Sequence, residues 1–443
     1  GAKLPAMTRT APGPSYRWAI LVMAFLTVFG ALGLSRFAYT SILPPMQEAL
    51  GLSNTQAGGL ATANLVGYVI LGVFTGALAA RIGPRRVIFV GVLIMAAGMV
   101  LTGISDSYVP ALVGRVLAGF GAAGSNIPAN TIIAMWFSRA RRGVATGFVS
   151  TGASLGLIVA GPLVPWIMSS YPVAGWRVSW YVLAAIAFVI AIASLLVLRD
   201  HPGYEPEGFE SETSHGKVEW RRLYLSGQVW RLGACYFCFG FSYIIYLTFF
   251  AKRLIADVGY TQQQAGTLFL ILGCASLPCG ITWGWIADRI GRRAAMAIAL
   301  GMQAIAETLF ALWTEPAGLT LSAVIWGLSA WGMPMLMAVT SGDIVGPVMA
   351  PAAYGFLTIF HGIGQAAGPY IAGMMADRLP SFSASYLLAS GVAFVGAVGL
   401  ALLPRGATNH LGGGPVDRRR GGVGSPAGSG EFVTRMPGKE DPG

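Results

Sequence analysis

Charge is what this sequence has least of: 11% of its 443 residues are Asp, Glu, Lys or Arg, against 55% hydrophobic residues and a mean hydropathy of +0.64. A soluble domain carries roughly 25% charged residues, so a chain of this length and poverty could not cover its own surface in water. That shortage excludes a soluble enzyme, a nucleic-acid-binding protein and a disordered scaffold, and it makes lipid the solvent for most of the chain. Cysteine is scarce as well. Cys235, Cys238, Cys274 and Cys279 all lie in apolar segments, without the loop-rich surroundings of a disulfide framework. Cys235 and Cys238 share a helix face, but a free cysteine behaves as a small buried hydrophobe, so no metal is expected there. P-loop and dinucleotide fingerprints are absent, so no cofactor is expected and energy has to come from an ion gradient or from the solute's own gradient.

What is present is length and apolarity in blocks. About 20 apolar residues carry a helix across the hydrocarbon core. Twelve such runs fit, near residues 18–44, 57–79, 87–105, 109–136, 144–168, 177–198, 230–250, 264–286, 294–313, 318–341, 353–375 and 383–403. The first is too long for a signal-peptide core and lacks a small-residue cleavage site, so it reads as a true span. Gly1 to Ala6 read as a cloning remnant ahead of Met7. Many of the 61 glycines and 25 prolines sit inside these runs, as membrane helices tolerate.

The net charge of +11 comes from short basic clusters between runs. Arg81, Arg85 and Arg86, then Arg139, Arg141 and Arg142, then Arg289, Arg292 and Arg293 fall in alternate loops. By the positive-inside rule this puts both termini and the central loop in the cytoplasm. The loop after span ten breaks the pattern, offering Asp343 and no basic residue. The expected organisation is an N-terminal segment 1–17, a six-helix bundle 18–198, a linker 199–229, a second bundle 230–403 and a disordered tail 404–443.

One offset relates the two halves. Gly51, Ser53 and Gln56-Ala57-Gly58 recur 208 positions later as Gly259, Thr261 and Gln264-Ala265-Gly266. The same offset carries Gly76, Arg81, Gly83 and Arg85 onto Gly284, Arg289, Gly291 and Arg293, and Gly119 and Gly124 onto Gly327 and Gly332. Two six-span halves in one orientation require a parallel repeat about an axis along the membrane normal. The fold class is therefore an all-α membrane protein of twelve transmembrane helices in two pseudo-symmetric bundles.

With that repeat on the page, the sequence resembles the major facilitator superfamily over residues 18–403. Gly284 to Arg293, GWIADRIGRR, matches its signature loop; the first-half copy, GALAARIGPRR from Gly76 to Arg86, has Ala80 where an acid is usual and Pro84 where a basic residue is. The resemblance implies a latch made by such an acid, here Asp288, with Arg81, Arg289 and Arg293 as gating residues. Arg115 followed by LAGFGAAG looks like the family's arginine motif, and Gly161-Pro162 is part of its antiporter signature, without the double glycine that completes it. The stretch from Trp136 to Gly156 looks similar to bacterial relatives of the monocarboxylate transporters. The family implies alternating access around a site near the bilayer midplane.

A charge at membrane depth costs about 2.5 to 3.5 kcal/mol even on lenient scales, so each one asks for a reason. Arg36 lies about two-thirds of the way along the first span, and the offset gives it no basic counterpart, landing on Ile244. It either binds a negative solute or snorkels outward. Arg115 either joins it in a positive pocket or bonds neighbouring helices. Asn126 and Asn130 return to the direction of Arg115 at about 100° per residue, forming a polar stripe. Tyr39, three residues from Arg36, and Tyr243 and Tyr246 in span seven are further candidate contacts, with packing as the alternative. His361, four residues from Gln365, and Glu307, the one carboxylate deep within a span, are candidate proton carriers; Glu307 ranks second, because the resemblance makes its helix peripheral.

Gly152 to Gly156 spells G-x-S-x-G but lies inside an apolar span, so it reads as small-residue packing and not as a nucleophile elbow. The leading reading is a monomeric secondary transporter that moves a small organic anion, a monocarboxylate, together with a proton. The alternative is a proton-coupled efflux antiporter for amphipathic compounds; a sensor that kept the fold without transport is a third.

Overall fold

The computed structural model describes residues 15–200, 220–345 and 349–403. The tail expected at 404–443 and most of the linker lie outside the described residues, which are helical with no strand. Among the described residues nine helices are long and apolar enough to cross a bilayer: Tyr16–Ala49, Asn54–Ile82, Pro84–Ile104, Arg141–Ser170, Gly175–Val197, Gly227–Ala256, Arg292–Leu312, Pro316–Val345 and Ser383–Ala401. A tenth crossing, span eight, is the pair Gln262–Ser276 and Cys279–Ile290, bent by 44°. Spans four and eleven, Tyr108–Trp136 and Ala350–Arg378, are 29 residues each. Each is about 43 Å long, ample for a crossing. They fall short only in apolarity, and they are the helices that carry Arg115, Asn126 and Asn130, and His361 and Gln365. With them the count reaches twelve.

The repeat is visible in backbone geometry. The four positive-φ glycines among the described residues are Gly51 and Gly83 at 57° and 90°, and Gly259 and Gly291 at 81° and 86°, two pairs at the repeat offset. Each tight turn needs a residue without Cβ. Just after the first turn of each half, Ser53 and Gln56, and then Thr261 and Gln264, form matching capping boxes that start spans two and eight. Deeper in, a Cβ on Gly119 would strike the Asn64 carbonyl, and one on Gly327 would lie 2.7 Å from the carbonyl of Leu272, the repeat mate of Asn64. The matched glycines thus set the approach of span two to four and of span eight to ten.

Span one departs from an ordinary helix. Its middle, Phe29–Phe37, is π-helical and continues into Tyr39–Ala49, which accommodates Pro44 and Pro45. The Ala38 N–H donates to the Gly33 carbonyl at 3.0 Å, five residues back. Gly33 itself packs backbone to backbone on Gly156 of span five, the last residue of the G-x-S-x-G stretch.

The two halves meet by spans two with eleven and five with eight. Gly58 abuts the Pro369 carbonyl, Gly373 abuts Asn54, and a Cβ on Gly161 would lie 2.6 Å from the Gly266 carbonyl. Gly161 of the Gly161-Pro162 pair is therefore a seam residue. Polar bonds reinforce the seam at the face bearing the Gly51 and Gly259 turns. The Asn54 and Thr55 N–H groups each donate to the Asp377 carboxylate at 2.8 Å, so the C-terminal half caps the start of span two. Thr62 donates to Ala366 at 2.7 Å and Gln262 to Ser41 at 2.6 Å. At the opposite face, bearing the arginines, Gly76, Gly147, Gly280 and Gly355 meet nothing within 4 Å. The seam is closed at the turn face by the polar bonds from Asn54, Thr55, Thr62 and Gln262.

Asp377→Ala removes an interdomain helix cap of about 1 kcal/mol. It should raise the fraction open at the turn face roughly fivefold. The check is the rate at which a membrane-impermeant maleimide labels a cysteine at Thr248, in a background lacking the four native cysteines; an unchanged rate would count against the cap as a closing element.

Candidate substrate site

Arg36 stands at the end of the π-helical stretch, where the backbone turns it toward the seam. Its guanidinium lies 4.6 Å over the ring of Tyr68 on span two. Nε and Nη2 are buried and have no hydrogen-bond partner. Among the described residues the ion pairs are Arg177 with Asp106, Arg253 with Asp257 and Arg292 with Asp343, so no carboxylate neutralises Arg36. Snorkelling to lipid is not what it does. Arg36, Tyr39, Thr40 and Arg115 line a cavity with Ile244 and Leu247 of span seven, of about 10 Å³, with room for one water. Thr40 closes its turn-face side by donating to the Leu247 carbonyl.

Arg115 shares this cavity but is already engaged. It is 1% exposed, its Nη1 donates to the Ser35 carbonyl at 2.8 Å, and its guanidinium lies 4.7 Å from the Tyr39 ring and 5.3 Å from that of Trp180. Tyr39 in turn donates to the Ala57 carbonyl at 2.7 Å. The arginine thus ties span four to the wide turn that displays Arg36. Asn126 does not continue its direction; its Nδ2 donates to the Tyr68 hydroxyl at 2.7 Å, fixing the ring under Arg36. Asn130 donates back to the Asn126 carbonyl at 3.0 Å. The polar stripe is therefore split: Arg115 serves span one, and the asparagines serve Tyr68.

The facing wall comes from spans seven and eleven. His361 stacks on Tyr236 at 4.4 Å, Phe239 at 5.3 Å and Tyr243 at 5.6 Å, and its Nε2 meets the Gln365 amide. The Tyr236 backbone is a further hydrogen-bond partner of the ring. Arg36 is the charged group that acts on both Tyr243 and His361 across the seam. Tyr236 and Tyr354 hydrogen-bond to each other, and the Tyr68 hydroxyl is close enough to act on Tyr236, Tyr243 and Tyr354. Sequence reasoning missed Tyr68, Tyr236 and Tyr354. A spacing of seven, Tyr236 to Tyr243 and Tyr354 to His361, marks one helix face and would have flagged two of them.

Two candidates are placed elsewhere. Tyr246 is three residues beyond Tyr243 and turns into the C-terminal bundle, stacked on Trp326 at 5.0 Å with its hydroxyl 2.8 Å from Ser322. Glu307 is fully buried in the same interior, away from the cavity, with the Trp326 indole as its neighbouring donor. At the arginine face Arg81 and Asp288 are exposed, and Asp288 makes no ion pair among the described residues. Arg289 stacks 3.7 Å from Trp285, and Arg293 donates to the Ala401 carbonyl. The acid expected in a loop after span ten is helical: Asp343 pairs with Arg292 and joins span ten to span nine. In the first half, which has Ala80 in place of the acid, Asp200 accepts the Arg85 N–H at 2.7 Å.

Two six-span bundles, closed at one face around a buried guanidinium, are the architecture of a membrane transporter, and the family match bears this out. The chain belongs to the major facilitator superfamily family described as uncharacterised MFS-type transporter YbfB, whose model matches residues 28–401. It is 26% identical to the probable sulfoacetate transporter SauU of Cupriavidus necator, over 80% of this chain and 86% of that one. It is 22% identical to monocarboxylate transporter 13 of Rattus norvegicus, over 89% of this chain and 90% of the other. The solved structure of a bacterial homolog of the human lysosomal transporter Spinster, at 19% identity, shares the fold with a TM-score of 0.68 over 88% of this chain and 96% of that one.

Arg115→Met would leave the Ser35 carbonyl unpaired in the interior, at a cost of about 1–3 kcal/mol. The variant should melt several degrees lower than the parent in detergent. Retained melting temperature would show that the bond does not hold span one.

Proposed function

We propose that this protein is a secondary transporter of a small organic anion, a monocarboxylate, carried together with a proton by alternating access. The observation that carries the reading is the pair of buried, unpartnered nitrogens on Arg36 at the seam between the halves, with no carboxylate to neutralise them. A guanidinium can hold both oxygens of a carboxylate through its planar fork. Because Arg115 is committed to the Ser35 carbonyl, one guanidinium is left for the solute, which favours a single negative charge. Tyr68, Tyr236 and Tyr243 would surround the rest of it. The names of the relatives, a sulfoacetate and a monocarboxylate transporter, support an organic anion.

In this reading His361 is the proton carrier. An imidazolium beside Arg36 would be a second cation in a site without an acid, so the anion that neutralises one favours the other, which is the reciprocity symport needs. Glu307 is the second candidate. Both termini and the arginine face are assigned to the cytoplasm of a bacterial cell, with the protein acting as a monomer in the inner membrane. The halves rock about the site, and Asp288 with Arg81, Arg289 and Arg293 latches the arginine face when the turn face opens. Efflux antiport of amphipathic compounds gains nothing from the features that suggested it, since Gly161 serves the seam and Arg115 serves span one.

In proteoliposomes, an inward proton gradient should drive uptake of a labelled monocarboxylate. Arg36→Gln should lower uptake at least about tenfold, the loss of a charge-assisted bond of about 1.5–3 kcal/mol. A dicarboxylate of similar size should compete more weakly than a monocarboxylate. Uptake that survives in Arg36→Gln, or a gradient that drives only efflux of amphipathic compounds, would overturn the reading.

A further inference from the structure

We propose that an anionic phospholipid binds in a groove between spans seven and twelve at the arginine face, its phosphate on Arg231 and one acyl chain along the groove. The groove is a cavity of about 330 Å³, apart from the central site, lined by Arg231, Ala234, Cys235, Cys238, Gly396 and Gly399 and continuing to Leu402. That volume falls in the range of built ligand pockets, roughly 300–1,000 Å³. Its shape follows from the sequence. Gly396 and Gly399 of span twelve let it approach Cys238 and Cys235 of span seven, where a Cβ would lie 2.7 Å and 3.0 Å from the cysteine side chains. The cavity lies beside these contacts and reaches Arg231. Its walls are apolar apart from Arg231, and the chain around it faces hydrocarbon.

Arg231 identifies the occupant. It sits one turn into span seven, exposed, with no ion pair or hydrogen bond among the described residues. Beside it Trp230 is 49% exposed, the position an indole takes at the headgroup level. A cation at that level above an apolar groove matches a phosphate above an acyl chain, and basic pockets between membrane helices recognise anionic headgroups in this way. A fatty chain without the charge would leave Arg231 unmatched, and a free phosphate would leave the groove unfilled. The next residue inward from Cys235 is Tyr236, on the wall of the central site. A lipid in the groove therefore braces the helix that carries Tyr236 and Tyr243.

The test is the melting temperature of the purified full chain in detergent with added phosphatidylglycerol, phosphatidylcholine of the same acyl chains, or glycerol phosphate. Phosphatidylglycerol should raise it by at least about 3 °C more than phosphatidylcholine. Glycerol phosphate should do nothing. Arg231→Gln should reduce the phosphatidylglycerol increment to the phosphatidylcholine level, and Ala234→Phe, which fills the groove from an exposed position, should abolish it. Each variant is compared with its own lipid-free melting temperature, and if Ala234→Phe does not fold, Arg231→Gln decides alone. Equal stabilisation by the two lipids, a full increment in Arg231→Gln, or stabilisation by glycerol phosphate would overturn the site.

Discussion

A guanidinium at membrane depth has to be given partners, and the rest of this structure depends on how two of them are treated differently. Arg115 receives a backbone carbonyl and two aromatic faces, which together disperse its charge inside a single bundle. Arg36 receives one aromatic face and the Tyr243 hydroxyl as an acceptor, and keeps two nitrogens unanswered. The first arrangement is complete and holds spans one and four together. The second is incomplete, and incomplete buried charge is costly to maintain. Its persistence at the seam is understandable if a mobile partner completes it during the transport cycle.

The two arginines are linked mechanically. Arg115 bonds the carbonyl of Ser35, the residue just before Arg36, in a stretch whose π-helical winding is supported by close contact of Gly33 with Gly156. A widened turn exposes backbone carbonyls that an ordinary helix would satisfy internally. Span four thus meets a need created by span one, and the direction of Arg36 depends on that bond. Asn126 does a similar task for the opposite face of the guanidinium by fixing Tyr68. Several residues that looked like ligands in the sequence form the frame that positions Arg36.

The architecture was far more legible than the site. Span number follows from apolar length, and the repeat follows from the matched glutamines and arginines, with glycines beside them whose turns need them, so both are written locally: Gln56 and Gln264 close their own capping boxes, and Gly83 and Gly291 their own turns. A side chain's role depends on which helix faces it, and no spacing within one span encodes that. Tyr243 and Tyr246 are three residues apart, yet one meets His361 and the other Trp326, because span seven is packed on two sides. Tyr68 carried no signal of its own, and neither did Asp377, whose partners Asn54 and Thr55 lie more than 300 residues away in the chain. The Arg292–Asp343 pair was half visible, as an acid that broke the pattern of basic loops.

The same distinction bears on which group carries the proton in the proposed cycle. Coupling requires that the proton and the solute each change the affinity for the other, so the carrier has to sense the charge at Arg36. His361 meets that condition, being stacked on Tyr236 and Tyr243 with Arg36 as its neighbouring charge. Glu307 is surrounded by the C-terminal bundle and reaches the site only through span seven, by way of Tyr246. A carboxyl enclosed there, with the Trp326 indole as its neighbouring donor, does not sense the charge at Arg36. For Glu307 to take part, the bundle interior would have to admit water during the cycle, and its packing against Trp326 and Tyr246 opposes that. The burden of coupling therefore falls on the seam, where opening and closing change the surroundings of His361 directly.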